Sequence, residues 1–256
     1  MNQFDDQAKR QLDENGYAIL EGLLSDNDAA SIREIVVELA AWERTQGSAS
    51  LYGNGKHQRI WNLINKHEKF RETIQNPVLL EAMRHLFGDD FILSSWTVNI
   101  IGGKGGEGAL HIDSHVPEPV PSFPVKANSI WLLDDFTEVN GSTIVLPGSH
   151  RFLKHPRPED EQRGELIKII APKGSVIVTH GALWHKSGNN QTSQERIVML
   201  GSFCPSFMRP QEDHLRVIDP EHLEQASPLL RQLVGVGYGI KEGALQKPPD
   251  HLARDR

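Results

Sequence analysis

Histidine and aspartate alternate in the segment His111-Ile112-Asp113-Ser114-His115. Glycines before this segment, and Pro117 and Pro119 after it, disfavour a helix. In an extended chain, residues two apart point to the same side, so an imidazole and a carboxylate here can bind one metal ion together. The alternative is a surface strand whose histidine and acid only hydrogen-bond to each other. These five residues alone do not decide between the two.

A third metal ligand has to come from a distant part of the chain, and two histidines compete for the role. His185 lies 72 residues after Asp113, a separation that suits a second strand across a barrel. His180 is five residues before His185, so on one regular strand only one of them would face the metal. Gly181 weakens this argument, because a bulge there would change the alternation.

The first 88 residues are predicted to form a mainly helical flank. One helix follows the capping residues Ser25–Asp28 and carries an apolar stripe at helical spacing, made of Ile32, Ile35, Val36 and Leu39. A second helix is predicted to begin after Asn76, with Pro77 in its first turn, and to end at Gly88. These helices would stand beside the elements that hold the candidate ligands.

From residue 90 the pattern changes to short runs typical of β-strands. They lie at 91–93, 96–101, 129–133, 143–146, 175–179 and 196–200, with glycine and proline between them. Regular short strands predict a sandwich or barrel rather than βαβ units. We therefore expect one domain over residues 1–256, with a β core at 90–205 and a C-terminal extension at 206–256. The polar end, 247–256, is expected to be frayed.

Composition narrows the class of protein. The chain has 256 residues, a formal net charge of −7 and no apolar run long enough for a membrane span, so nucleic acid and membranes are not expected partners. Residues 1–6 carry no secretory signal pattern, and the single cysteine, Cys204, excludes a disulfide framework. A cytoplasmic protein is expected. The oligomeric state is not indicated.

Several short motifs together resemble the phytanoyl-CoA dioxygenase family. They are His111-x-Asp113, Asn140-Gly141 with Pro147-Gly148-Ser149-His150, His185-x-Ser187-x-Asn189, and Arg196. The similarity covers roughly residues 10–205, and the order and spacing of the motifs are more specific than any one of them. The resemblance implies a double-stranded β-helix core, of the jelly-roll or cupin-like type, preceded by helices. It also implies an Fe(II)- and 2-oxoglutarate-dependent oxygenase.

The resemblance assigns the metal ligands. It implies that His111, Asp113 and His185 hold iron, which settles the choice against His180. Two imidazoles and one carboxylate on one side of the metal leave three coordination positions open, the pattern of non-haem Fe(II) oxygenases. The cosubstrate 2-oxoglutarate and O2 would use those positions. His150 is expected to lie in a structural corner and not to be a ligand.

The resemblance also implies a 2-oxoglutarate site. Arg196, eleven residues after His185, would bind the far carboxylate of the cosubstrate, since a planar guanidinium can pair with both oxygens. Ser187 and Trp131 match positions that line that pocket. Without the resemblance, Arg196 would be interpreted as an ordinary surface arginine at the start of a strand.

The expected function is therefore a dioxygenase that hydroxylates, or otherwise oxidises, an unactivated C–H bond of a small metabolite and releases succinate and CO2. Members of the family act on acyl-CoA thioesters, compatible solutes and secondary metabolites. The alternatives are a cupin-like metal-binding or sensor protein without catalysis, and a zinc-dependent hydrolase or isomerase. Neither alternative needs a carboxylate clamp at Arg196.

The segment His115–Val125 contains four prolines and is not expected to be a core strand. It follows Asp113 directly, so it is placed to form either a lid over the metal or a packed rim of the barrel. Val116, Val120 and Phe123 would supply its apolar surface. Because the segment has no basic cluster, it favours a small, largely neutral metabolite over a CoA thioester.

Overall fold

The computed structural model describes residues 3–237. In this range the helices are α1 (Asp6–Asn15), α2 (Asp26–Thr45), α3 (Leu63–Lys66), α4 (Glu68–Thr73), α5 (Pro77–Phe87), α6 (His214–Val217), α7 (Pro220–Glu224) and α8 (Pro228–Leu233). Short 3-10 turns lie at Ser149–Phe152 and Pro158–Gln162. None of the helices described has the length and hydropathy needed to cross a membrane. The segment 247–256, expected to be frayed, lies outside the described residues.

The strands of the same range form two antiparallel sheets. They are β1 (Tyr17–Leu20), β2 (Ser50–Tyr52), β3 (His57–Ile60), β4 (Phe91–Ile101), β5 (Ala127–Leu132), β6 (Thr143–Val145), β7 (Ile167–Lys168), β8 (Val176–His180), β9 (His185–Ser187) and β10 (Arg196–Pro205). The large sheet has the order β1-β8-β5-β10-β4-β3-β2, and the small sheet has the order β7-β6-β9. The two sheets enclose the site described below.

The two predicted helices are confirmed together with their caps. The side chain of Ser25 accepts a backbone hydrogen bond in the first turn of α2. Asn76 caps α5 by accepting hydrogen bonds from the N–H groups of Val78 (3.0 Å) and Leu79 (3.2 Å). Gly88 ends α5 with a φ of +74°, a conformation that glycine adopts without steric cost.

The large sheet is buried on both faces, and alternation along its strands divides the core in two. One set of side chains, including Trp96 and Trp131, packs with α2 and α5 in the main apolar cluster. The other set, including Ile130 and Val198, faces the small sheet and packs with Val145. A helix-covered jelly roll of this kind confirms the fold class expected from the sequence.

The structure adds strands that the sequence analysis did not predict. Within the first 88 residues, β1 pairs with β8, and β3 joins β2 to β4. Strand β3 reads His-Gln-Arg-Ile and lacks the apolar run that identifies a strand, so its pairing with β4 decides its structure. The runs at 91–93 and 96–101 form one strand, because β10 pairs with both of them, with one register shift between Ser202 and Phe203.

Candidate active site

His111, Asp113 and His185 lie together between the two sheets. Each offers one atom that can bind a metal, and these atoms all lie within 4.8 Å of one another. An oxygen of Asp113 is 3.3 Å from Nε2 of His185, and its other oxygen is 3.7 Å from Nε2 of His111. The cluster therefore presents two imidazole nitrogens and one carboxylate to a common point, which is the donor set that suits Fe(II).

The backbone fixes both imidazoles in the same orientation. His111 and His185 exchange two backbone hydrogen bonds of 3.0 Å, which joins the segment after β4 to β9. The Nδ1 atom of His111 lies 2.9 Å from the carbonyl oxygen of Ala109, and that of His185 lies 2.9 Å from the carbonyl oxygen of Leu183. Because a carbonyl only accepts, Nδ1 must carry the proton, and Nε2 keeps its lone pair for a metal.

Asp113 and His185 shift each other's pKa in the direction that favours the charged forms. Burial alone raises the pKa of Asp113, but His185 and His111 outweigh burial and hold that pKa well below its usual range. Burial alone lowers the pKa of His185, yet the carboxylate of Asp113 raises it above the ordinary value. Asn128 donates a hydrogen bond of 2.7 Å to Asp113 and fixes the carboxylate. Asp113 is thus an anion ready to bind a cation.

His180 does not join this cluster. Residues 181–184 form a turn, so His180 ends β8 in the large sheet while His185 begins β9 in the small sheet. The two histidines therefore do not share one regular strand, so the alternation rule does not apply to them. The ring of His180 instead packs 5.1 Å from the ring of His150, and burial lowers the pKa of His180 to about 4.

A cavity of about 390 Å³ holds the three-residue cluster and, in its wall, Arg196. Arg196 is only 4% exposed, its guanidinium lies 4.7 Å from the centre of the Phe136 ring, and one of its N–H groups donates to the carbonyl of Gly141 at 2.7 Å. Its Nε has no hydrogen-bond partner, and within residues 3–237 no acidic oxygen lies within 4.0 Å of it. Burial lowers its pKa to about 10, so it remains a cation at neutral pH. A buried cation of this kind fits the far carboxylate of 2-oxoglutarate.

Ser187 and Trp131 were also expected to line the cosubstrate pocket, and the structure places only the first of them there. Ser187, on β9, lines the same cavity as Arg196. Trp131 does not: its ring is fully buried in the helix-covered core, where it packs edge-to-face on Trp96 at 6.4 Å. Its neighbours on β5, Asn128 and Ile130, line the cavity instead. The placement of Trp131 in the pocket is therefore corrected, since alternation along β5 directs it to the opposite face.

Sequence reasoning missed several polar residues of the cavity wall. Tyr52 and Arg59 come from the hairpin of β2 and β3, and Asn99 of β4 accepts a hydrogen bond of 2.8 Å from Arg59. Lys126 lies just before β5. The motifs gave no signal for these positions. The alternation of β5, read backwards from Ile130, would have placed Lys126 on the cavity side.

Two valines of the proline-rich segment pack on the barrel. Val120 is buried and Val116 partly buried in a small apolar cluster around Trp184. Phe123 is 56% exposed and is not part of the cavity wall. As expected, the segment contains no strand. These contacts favour the rim over the lid. His115, at its start, does line the cavity.

Comparisons with known proteins agree with the geometry. The family model described as phytanoyl-CoA dioxygenase matches residues 12–198. The dioxygenase af480 of Aspergillus fumigatus is 29% identical over 243 residues, covering 91% of this chain and 79% of the relative. The dioxygenase trt7 of Aspergillus terreus is 28% identical over 242 residues, covering 90% and 83%.

Solved structures of low sequence identity share the fold. The non-haem alpha-ketoglutarate-dependent carbocyclase SnoK, from nogalamycin biosynthesis, is 18% identical with a TM-score of 0.68, covering 84% of this chain and 91% of that one. HygX of Streptomyces hygroscopicus, solved with nickel, 2-oxoglutarate and hygromycin B, is 15% identical with a TM-score of 0.64, covering 80% and 89%.

A jelly roll that brings two histidines, one aspartate and a buried arginine to one cavity defines an iron- and 2-oxoglutarate-dependent dioxygenase. Because the family model matches well over half of its length, the chain belongs to the phytanoyl-CoA dioxygenase family.

Proposed function

We propose that His111, Asp113 and His185 are the iron ligands and that Arg196, with Ser187 beside it, binds 2-oxoglutarate. The observation that carries this proposal is the presence of both halves in one cavity: a metal-binding donor set and a buried guanidinium without an acidic partner among the described residues. An unpaired buried cation is costly to maintain, so its position beside the donor set indicates an anionic ligand.

With both bound, iron(II) and 2-oxoglutarate supply the oxidising chemistry: O2 oxidises a substrate C–H bond, and the keto acid leaves as succinate and CO2. The protein's own residues bind and orient. The carbonyls of Ala109 and Leu183 keep both Nε2 atoms unprotonated, and Asn128 holds one oxygen of Asp113. Arg196 would bind the far carboxylate of the keto acid, so that the cosubstrate is held in one orientation.

We propose that the reaction is hydroxylation, or a related oxidation, of an unactivated C–H bond in a small metabolite. The epimerase SnoN was solved with Fe3+, alpha-ketoglutarate and nogalamycin RO, and HygX with hygromycin B, which supports a small-molecule substrate here. We also propose that residues 1–256 act as one domain and that the protein works in the cytoplasm, in keeping with the free, buried thiol of Cys204.

Arg196 also separates this proposal from its alternatives. A sensor without catalysis, or a zinc-dependent hydrolase or isomerase, can use two histidines and an aspartate, but neither requires a buried carboxylate clamp in the same cavity. No observation favours either of them.

The test is the oxygen-dependent conversion of 2-oxoglutarate to succinate by the purified protein, with and without Fe(II). We expect succinate only when iron and O2 are both present. Succinate formation that is absent under all conditions, or independent of iron, would contradict the proposal. Zinc-supported turnover without succinate would favour the hydrolase alternative.

A further inference from the structure

A second cavity adjoins the metal cavity and extends it away from Arg196. It has a volume of about 330 Å³, and the two cavities share the wall residues Asp113, His115, Lys126 and Gln211. Neither His111, His185 nor Arg196 belongs to the wall of the second cavity. A molecule seated there would meet the metal cluster at Asp113, and Arg196 would not be part of its binding wall.

Lys126 stands at the junction of the two cavities. Within the described residues no acidic oxygen lies within 4.0 Å of its ammonium group, and its side chain makes no hydrogen bond. The next lysine in the wall, Lys186, differs, because Glu107 (2.6 Å) and Glu161 (3.6 Å) both pair with it. Lys126 is therefore a cation of the cavity wall that has no direct ion pair or side-chain hydrogen bond among residues 3–237.

Arg59 is the other cation to consider in the metal cavity. It donates to Asn99, and its guanidinium lies 5.3 Å from the centre of the Trp61 ring. It lines only the metal cavity, whereas Lys126 lines both. An anion held in the second cavity thus meets Lys126 and not Arg59.

The rest of the second cavity is largely uncharged, and much of it is apolar. Val116, Val125, Met208 and the thiol of Cys204 line it, and its other cation, Arg209, is exposed. One half-buried ammonium group can neutralise one anionic group, while the apolar side chains suit a hydrocarbon body. A polyanion would need several cations that the described wall does not supply.

We propose that the substrate is a largely apolar molecule with a single carboxylate, and that Lys126 binds this carboxylate. This inference rests on the proposed function and names the substrate class of the same site. It differs from the expectation of a largely neutral metabolite, which considered only the residues of the proline-rich segment. The ion pair would anchor one end of the substrate at the junction of the two cavities, where Lys126 and Asp113 line both walls.

The experiment measures binding to protein loaded with Ni(II) and 2-oxoglutarate, by calorimetry, with octanoate and octanamide as a charged and an uncharged probe of one shape. We expect octanoate to bind at least tenfold more tightly than octanamide to the unsubstituted protein. In Lys126→Met this preference should fall below threefold, whereas Lys126→Arg should keep most of it. Lys9→Met is the matched control, since Lys9 lies on α1 and lines neither cavity, and it should keep the full preference.

Several outcomes would overturn the proposal. Octanoate that binds no tighter than octanamide, or an unchanged preference in Lys126→Met, removes the anion site. Loss of the preference in Arg59→Met instead would move the site to Arg59. Loss of 2-oxoglutarate affinity in Lys126→Met would make Lys126 part of the cosubstrate site. Tighter binding of octyl phosphate than of octanoate would replace the carboxylate with a phosphate.

Succinate formation by the unsubstituted protein, measured alongside, separates this inference from the function on which it rests. If succinate forms but octanoate has no advantage, only the inference fails. If no succinate forms under iron and O2, the proposed function fails, and the inference fails with it.

Discussion

Two pairs of packed imidazoles lie within residues 3–237, and of these one pair is arranged to bind a metal. The rings of His111 and His185 are 4.3 Å apart, and those of His150 and His180 are 5.1 Å apart. The first pair faces the carboxylate of Asp113 in an open cavity. Within the described chain, the second pair belongs to no such group of metal-binding side chains.

The two pairs also differ in which ring nitrogen carries the proton. In the first pair both Nδ1 atoms point at carbonyl oxygens, which leaves both Nε2 atoms as acceptors. In the second pair Nδ1 of His180 accepts from the N–H of Ala182 at 3.1 Å, so its proton sits on Nε2. Proximity of histidines is therefore not enough for a metal site. The direction of the lone pairs and a neighbouring carboxylate decide it.

The largest expected effect comes from replacing one histidine of each pair and comparing the two variants. His185→Ala should abolish iron binding and succinate formation, because two remaining ligands hold Fe(II) poorly. His180→Ala should keep iron, because its imidazole is not directed at the cluster. Metal analysis of both purified variants checks this. A loaded His185→Ala with an empty His180→Ala would reverse the assignment.

Arg196→Ala should weaken 2-oxoglutarate binding at least tenfold and leave iron binding intact. The loss of one partner of a buried charge pair costs about 2–5 kcal/mol. Arg196→Lys should recover only part of the affinity, because an ammonium group cannot pair with both carboxylate oxygens at once. Calorimetric titration with 2-oxoglutarate checks both variants. Unchanged affinity in Arg196→Ala would place the clamp elsewhere.

The second imidazole pair should make the protein sensitive to acid. Burial lowers the pKa of His180 to about 4, whereas an unfolded histidine titrates near 6.5. Between these values the unfolded state binds more protons, so the free energy of unfolding should fall as pH falls from 6.5 to 4, by up to about 1.4 kcal/mol per pH unit for this group. In His180→Gln the fall should be shallower, and urea unfolding at several pH values measures it. An identical pH dependence in both proteins would contradict the assignment.

Phe123→Ala should have the smallest effect. The ring is exposed on the rim of the barrel and does not line the metal cavity. Affinity for 2-oxoglutarate and succinate formation should stay within about twofold, and the free energy of unfolding within about 0.5 kcal/mol. Loss of substrate turnover with iron and 2-oxoglutarate binding intact would instead support the hypothesis that this segment forms a lid.

The sequence predicted the elements whose local signals are strong. Ser25, Asn76 and Gly88 mark helix ends through backbone chemistry that acts within a few residues. The spacing of His111 and Asp113 indicated a chelating pair, but the choice of His185 needed the resemblance to a family. The turn at 181–184, which separates His180 from His185, has no clear signature in the sequence.

The remaining differences come from contacts between distant segments. Strand β3 exists because β4 offers it an edge, and its own residues do not predict it. Trp131 looked like a pocket residue, but the register of β5 turns it toward α5 and the helical layer. Arg59 reaches the cavity from β3, far from the proline-rich segment, and Lys126 is the residue directly after that segment, so a search confined to residues 115–125 found neither.

The most direct test of the central claim is oxygen-dependent succinate formation in three proteins assayed together: the unsubstituted chain, His180→Ala and His185→Ala, each supplied with Fe(II) and 2-oxoglutarate. We predict comparable succinate formation by the first two proteins and none by the third. Equal activity of His185→Ala and the unsubstituted protein would contradict it.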